Sequence, residues 1–159
     1  MDVNAIWTLL DEVSDPEIPV VSLVEMGIVR DIQQSSDDVV TVTITPTFSG
    51  CPALHTMKKD IIDHLQAAGF SHVEVVTVYS PPWTTDWIAD SAKAKLREFG
   101  IAPAPRHSGN VEIILLDAVA CPYCGSENTS IRNSFGPTPC RMIFYCNACQ
   151  QPFEQFKPL

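Results

Sequence analysis

The chain is short of positive charge. Ten Lys and Arg stand against 19 Asp and Glu, a net charge of −9. Nucleic-acid phosphates are bound by clustered cations, so this composition argues against such a partner. No run of roughly 18 apolar residues occurs, so nothing reads as a membrane span. The first ten residues include Asp2 and neither Lys nor Arg. They lack the basic start and apolar core of a secretory leader, and the expected location is the cytoplasm. Glycine is scarce, with seven in 159 residues. None falls into GxGxxG, P-loop or GxSxG spacing, which removes the usual nucleotide cradles and the serine-nucleophile elbow. A Glu-x-x-His pair, the helical signature of di-iron sites, is also missing.

What is present suffices for a packed core: 45% of residues are hydrophobic and 18% charged. The charge is unevenly spread. Residues 1–117 hold 17 acids against 7 bases, whereas residues 118–159 hold 2 against 3. The acidity belongs to the first part, and the tail is a different kind of object.

Periodicity predicts the elements of the first part. Ile6, Leu9, Leu10 and Val13 have helical spacing over Asn4–Val13, and Pro16 and Pro19 stiffen the loop that follows. Ser22–Met26 reads as one helical turn stopped by Gly27. Ile28–Gln33 and the alternation of Val40, Val42 and Ile44 with threonines predict a hairpin turning at Ser35–Asp38. Leu54, Met57, Ile61, Leu65 and Ala68 mark the buried stripe of a helix opened by Pro52. A strand over Ser71–Tyr79 and a helix running from Trp87 to near Gly100 complete the set. Ile101–Asn110 reads as a linker and Glu112–Leu116 as a strand. The expected fold class is therefore α+β. A small α-β-β-α-β-α domain (1–110) precedes a cysteine-rich module (111–159).

That module carries two hooks, Cys121-Pro-Tyr-Cys124 and Cys146-Asn-Ala-Cys149. Two CxxC hooks supply four thiolates, the tetrahedral set that zinc prefers. About 40 residues cannot build a sufficient core by themselves, so the metal would serve as one. A rubredoxin-like iron site uses the same ligands, which leaves an electron-transfer or docking role open. Disulfides would require an oxidising compartment. Cys140 lies about 20 Å along a strand from Cys146, too far to share its ion. It reads as a small buried residue or as a thiol beside a partner surface.

Cys51 is the informative residue of the first part. At the start of a helix its thiolate would be favoured, with His55 one turn on. Three readings stand: a small cap residue, a nucleophile with His55 as base, and a transient ligand for iron or an iron–sulfur cluster. Asp15 and Glu17 sit on the proline-stiffened loop, where they could ligate a cation, bond to nearby helix N-termini, or face water. Trp83 and Trp87 form an aromatic pair suited to core packing or to a partner.

Asp15-Pro-Glu-Ile-Pro, LVEMGIVR (23–30) and Ser49-Gly-Cys51-Pro together resemble the SufT-like iron–sulfur assembly family. Pro81-Pro-Trp-Thr-Thr-Asp-Trp, Arg97-Glu-Phe-Gly-Ile, Ser134-Phe-Gly and the CxxC hooks narrow this to the PaaD family. Its members are accessory subunits of the ring-1,2-phenylacetyl-CoA epoxidase systems of phenylacetate catabolism. The resemblance runs from about Val3 to Lys157. It implies a non-catalytic factor that assists assembly of iron or iron–sulfur centres in the epoxidase oxygenase or reductase subunits. It also implies Cys51 as the reactive thiol beside Asp15 and Glu17, and Cys121, Cys124, Cys146 and Cys149 as ribbon ligands. The domain relatives imply a homodimer as a further expectation.

Overall fold

The computed structural model describes residues 2–36, 38–104 and 119–157. Among them the chain forms two compact units, Met1–Trp83 and Thr84–Leu159. The sequence boundary at 110/111 and the expected strand Glu112–Leu116 lie outside the described residues.

In the first unit, helix α1 (Val3–Leu10) begins where the Asp2 carboxylate accepts the Ala5 N–H at 2.8 Å, a side-chain N-cap. Ser22–Met26 is the expected single turn, with the Met26 N–H bonded to the Ser22 carbonyl. Ser22 and Glu25 cap it reciprocally: the Glu25 N–H donates to the Ser22 hydroxyl and the Ser22 N–H to the Glu25 carboxylate. Strands β1 (Val29–Ser36) and β2 (Val39–Ile44) make the antiparallel hairpin. Helix α2 (Leu54–Ala67) crosses over, and β3 (His72–Thr77) returns parallel to β2, giving the order β1-β2-β3. Val40, Val42 and Ile44 point to one face of the sheet, and Met57, Ile61 and Leu65 form the buried stripe of α2. Both sets are buried, as the two periodicities require. The parallel pairing follows from α2 itself, since a helical crossover lets the chain re-enter the sheet in the same direction.

The second unit begins with a 3-10 turn (Thr85–Trp87) and α3 (Asp90–Glu98), which packs on β4 (Ile101–Ala102). It continues with β5 (Thr129–Asn133), β6 (Arg141–Cys146) and β7 (Pro152–Phe156). The sheet order is β4-β7-β6-β5. Ile101 and Ala102, expected to open a linker, instead pair in parallel with Glu154 and Gln155 of β7. Both are buried, and the apolar gain of adding them to the sheet edge outweighs the loop signal of the prolines that follow. The core of this unit is Ala102, Val119, Met142, Phe144 and Phe153 with Cys121 and Cys146. Phe144 and Phe153 stack with centroids 5.6 Å apart.

Candidate metal centre

The two hooks have nearly the same backbone. In the first, the Cys121 N–H donates to the Ser126 carbonyl and the Gly125 N–H returns to the Cys121 carbonyl, at 2.9 and 2.8 Å. In the second, the Cys146 N–H donates to the Gln151 carbonyl and the Gln150 N–H to the Cys146 carbonyl, at 3.0 and 2.9 Å. Each turn closes with a residue in the left-handed region: Gly125 at φ 74° and Gln150 at φ 60°. A side chain there costs on the order of 1–2 kcal/mol, which glycine avoids. Gln150→Gly is therefore expected to stabilise the metal-loaded protein by up to about 1 kcal/mol. Urea denaturation at fixed zinc concentration reads this as a higher midpoint, and a lower midpoint would show that the Gln150 side chain contributes more than its backbone costs.

The hooks bring Cys121, Cys124, Cys146 and Cys149 together with their sulfurs all within 4.8 Å of one another. The sulfurs approach across the hooks: Cys121 to Cys149 at 3.7 Å and Cys124 to Cys146 at 3.6 Å. Four thiolates about 2.3 Å from a central ion make a tetrahedron with edges of about 3.8 Å, so these spacings fit such an ion. They are far longer than the ~2.05 Å of a disulfide. Cys121 and Cys146 are buried, Cys149 is half-buried and Cys124 faces solvent. The Cys149 N–H points to the Cys146 sulfur at 3.5 Å, and with the Ala148 N–H it lowers that thiol to about 7. Burial, aided by the Cys146 and Cys124 thiols, pushes Cys149 up to about 12. Asn147 braces the second hook through backbone and side-chain bonds to Asn128.

Cys140 stands apart from this group, as its distance along β6 requires. It is buried, with its sulfur 3.2 Å from the Thr138 hydroxyl. Thr138 also accepts from Arg141 Nε at 2.9 Å, and Arg141 pairs with Glu154.

In the first unit, Cys51 lies between two turns. Its N–H donates to the Phe48 carbonyl at 3.1 Å, and its carbonyl accepts the Leu54 N–H at 3.2 Å. Helix α2 thus starts at Leu54, two residues later than Pro52 suggests, with Ala53 as an N-cap that makes no side-chain bond. Cys51 is half-buried and precedes the cap, so the field of α2 reaches it across Pro52 and Ala53. His55 is exposed in the first turn of α2.

Asp15 is buried, and its carboxylate accepts the N–H groups of Glu17 and Ile18 at 2.8 and 2.9 Å. It also lines a cleft with Asp60, Asp63 and His64, all in the later turns of α2. Among the described residues, the four cysteines are the one group of three or more His, Cys, Asp or Glu whose ligand atoms lie this close together. Trp83 is buried, and its indole N–H donates to the Met26 carbonyl at 2.9 Å. Trp87 is half-buried in the second unit.

Comparison with known proteins covers both units. A protein of Escherichia coli (strain K12), named as one of the subunits of a putative 1,2-phenylacetyl-CoA epoxidase, is 40% identical over 155 residues, spanning 98% of this chain and 92% of its own length. Residues 112–157 match the family described as the PaaD zinc beta ribbon domain. The chain belongs to the PaaD family. Within it, residues 4–78 also match the family described as iron-sulfur cluster assembly protein. The Fe-S protein maturation auxiliary factor YitW of Bacillus subtilis (strain 168) is 34% identical, covering 55% of this chain and 85% of its own. A crystal structure of a DUF59 domain from Bacillus anthracis superimposes with a TM-score of 0.54 at 29% identity, over 58% of this chain and 89% of that one. The PaaD chain thus joins an assembly-type α+β unit to a ribbon, as the motifs in the sequence imply. No described helix is long and apolar enough to cross a membrane.

Three features go beyond the expected elements. The Ser22–Glu25 cap has its Ser-x-x-Glu signal in the sequence. Gln150 in the left-handed region has no local signal except its place after a hook, where Gly125 stands in the other. The pairing of Arg141 with Glu154 is a long-range contact that no local pattern announces.

Proposed function

We propose that this chain is an accessory maturation factor of a multicomponent phenylacetyl-CoA epoxidase. In this reading it acts in the cytoplasm and assists assembly of iron or iron–sulfur centres in the oxygenase or reductase subunits. One observation carries it: identity along nearly the whole chain to a relative named as part of such an epoxidase, with the first half also similar to iron–sulfur maturation factors. The four ribbon thiolates hold one structural zinc, which ties the two hooks together. Cys51 makes the transient contact with iron or a cluster. A half-buried thiol between two turns suits this, because an incompletely coordinated site releases its cargo. Asp15 and Glu17 are second contacts for the same ion. The factor works as a homodimer or as a single chain docked on its client.

The test is metal loading of the client. The epoxidase subunits are co-expressed with the wild-type chain, with Cys51→Ser, or with neither. Iron and labile sulfide per client chain are then measured beside the epoxidation rate. Low loading without the chain, unrescued by Cys51→Ser, is the expected outcome; full loading in all three samples would end this reading. Asp15→Asn and Glu17→Gln enter the same assay, and unchanged loading in both would leave the thiol as the sole contact. A red protein with iron in the ribbon would turn the reading towards electron transfer.

A further inference from the structure

We propose that the ribbon sheet carries, on the face opposite its core, a binding site for a phenol ring. Strand alternation creates this face. Met142, Phe144 and Cys146 of β6 turn to the core, so Arg141 and Ile143 turn away from it. The register sets Ile143 opposite Glu154 of β7. These residues line a cavity of about 310 Å³ with Phe99 and Tyr123 at its rim, and Phe153, whose ring belongs to the core, borders it. Both rim residues are about half exposed, Phe99 at 48% and Tyr123 at 57%. The volume is at the small end for ligand sites and suits one substituted aromatic ring. Gly100 makes the rim possible: a Cβ there would lie 2.6 Å from the Tyr123 hydroxyl.

The floor decides the ligand. The Arg141 side chain is 9% exposed and that of Glu154 29%. A guanidinium has five N–H groups. Arg141 uses one for Thr138 and one for Glu154, so three are left among the described residues. Glu154 spends Oε2 on Arg141, and Oε1 keeps its lone pairs. The floor therefore presents donors and an acceptor side by side with no net charge. An anionic head would meet the Glu154 carboxylate, and a cationic head the Arg141 guanidinium. A bare ring would strip water from the pair and replace none of its hydrogen bonds. A phenol satisfies both halves through one atom: its O–H donates to Glu154 and its oxygen accepts from Arg141, while its ring lies against Ile143 and the rim rings of Phe99 and Tyr123. The ring can come from a tyrosine side chain of a partner protein or from a small phenol.

The experiment uses the full zinc-loaded chain and follows backbone amide NMR signals during titration. The probes are p-cresol, toluene, benzoate and benzylamine. Saturable shifts at Gly100, Ile101, Phe153 and Glu154 are expected with p-cresol, and binding about fivefold to tenfold weaker with each of the others. Toluene, benzoate or benzylamine binding as tightly as p-cresol would overturn the proposal, as would shifts confined elsewhere. Ile143→Trp fills the cavity and is expected to abolish the p-cresol response with the rest of the spectrum retained; an undiminished response would place the ring outside the cavity. Blocked Gly-Tyr-Gly and Gly-Phe-Gly peptides separate the sources. A tyrosine peptide as tight as p-cresol identifies a protein partner, and p-cresol binding without the peptide identifies a small phenol. A phenylalanine peptide equal to the tyrosine peptide would overturn the role given to the hydroxyl.

Discussion

Cys146→Ser is expected to cost the ribbon both its metal and its fold. Cys146 is fully buried, sits 3.6 Å from Cys124 and belongs to the core with Phe144 and Phe153. A serine there offers a harder oxygen ligand and places a hydroxyl among apolar side chains. The scale of the loss is set by the metal: structural zinc contributes about 10–16 kcal/mol to small finger modules, as much as the whole stability of an ordinary domain. Elemental analysis should give one zinc per wild-type chain and little for the variant, with amide signals of residues 119–157 collapsing to the random-coil range. Cys140→Ser is the control and should keep the full metal content. A variant Cys146→Ser that loses its zinc yet stays dispersed would mean that the described strands hold the module without the ion.

Acidification should act in the same direction. Every ligand binds as thiolate, so the metal-bound ribbon carries fewer protons than the metal-free one. With its thiol pushed up to about 12, metal-free Cys149 is protonated at neutral pH and must release that proton on binding. Cys146, lowered to about 7 by the Cys149 and Ala148 N–H groups, gives up its proton more readily than an ordinary thiol. Zinc affinity measured against a competing chelator should therefore fall steadily between about pH 8 and pH 6.

Trp83→Ala is expected to destabilise the first unit by about 3–5 kcal/mol, the usual loss for a buried aromatic side chain. Trp83 is 4% exposed and joins two parts of the chain through its bond to the Met26 carbonyl, 57 residues earlier. Trp83→Phe separates the two contributions. It keeps most of the apolar volume and leaves the Met26 carbonyl without its donor, a loss of about 1–3 kcal/mol. Urea denaturation of the two variants measures both. Equal losses would mean that the hydrogen bond accounts for nearly all of the effect.

Much of the fold was legible in local patterns. The β-branched alternation of Val40, Val42 and Ile44 and the stripe from Met57 to Leu65 stand in the sequence because each element buries one face. The hooks were legible because ligand type and spacing are themselves the chemistry. Other features needed partners remote in sequence. Ile101 and Ala102 form a strand because β7 lies beside them, and Trp83 is a core residue because the Met26 carbonyl needs a donor.

The crossed approach of the sulfurs has a mechanical consequence. With an ion in place, Cys121 is tied to Cys149 across the whole β5–β6 hairpin. Tension applied at Val119 and Phe156 would pass through the metal–thiolate bonds and bypass that hairpin. The strand left to peel is β7, residue pair by residue pair, from its ladder with β6. The hairpin would remain slack inside a closed ring until a metal–sulfur bond ruptured.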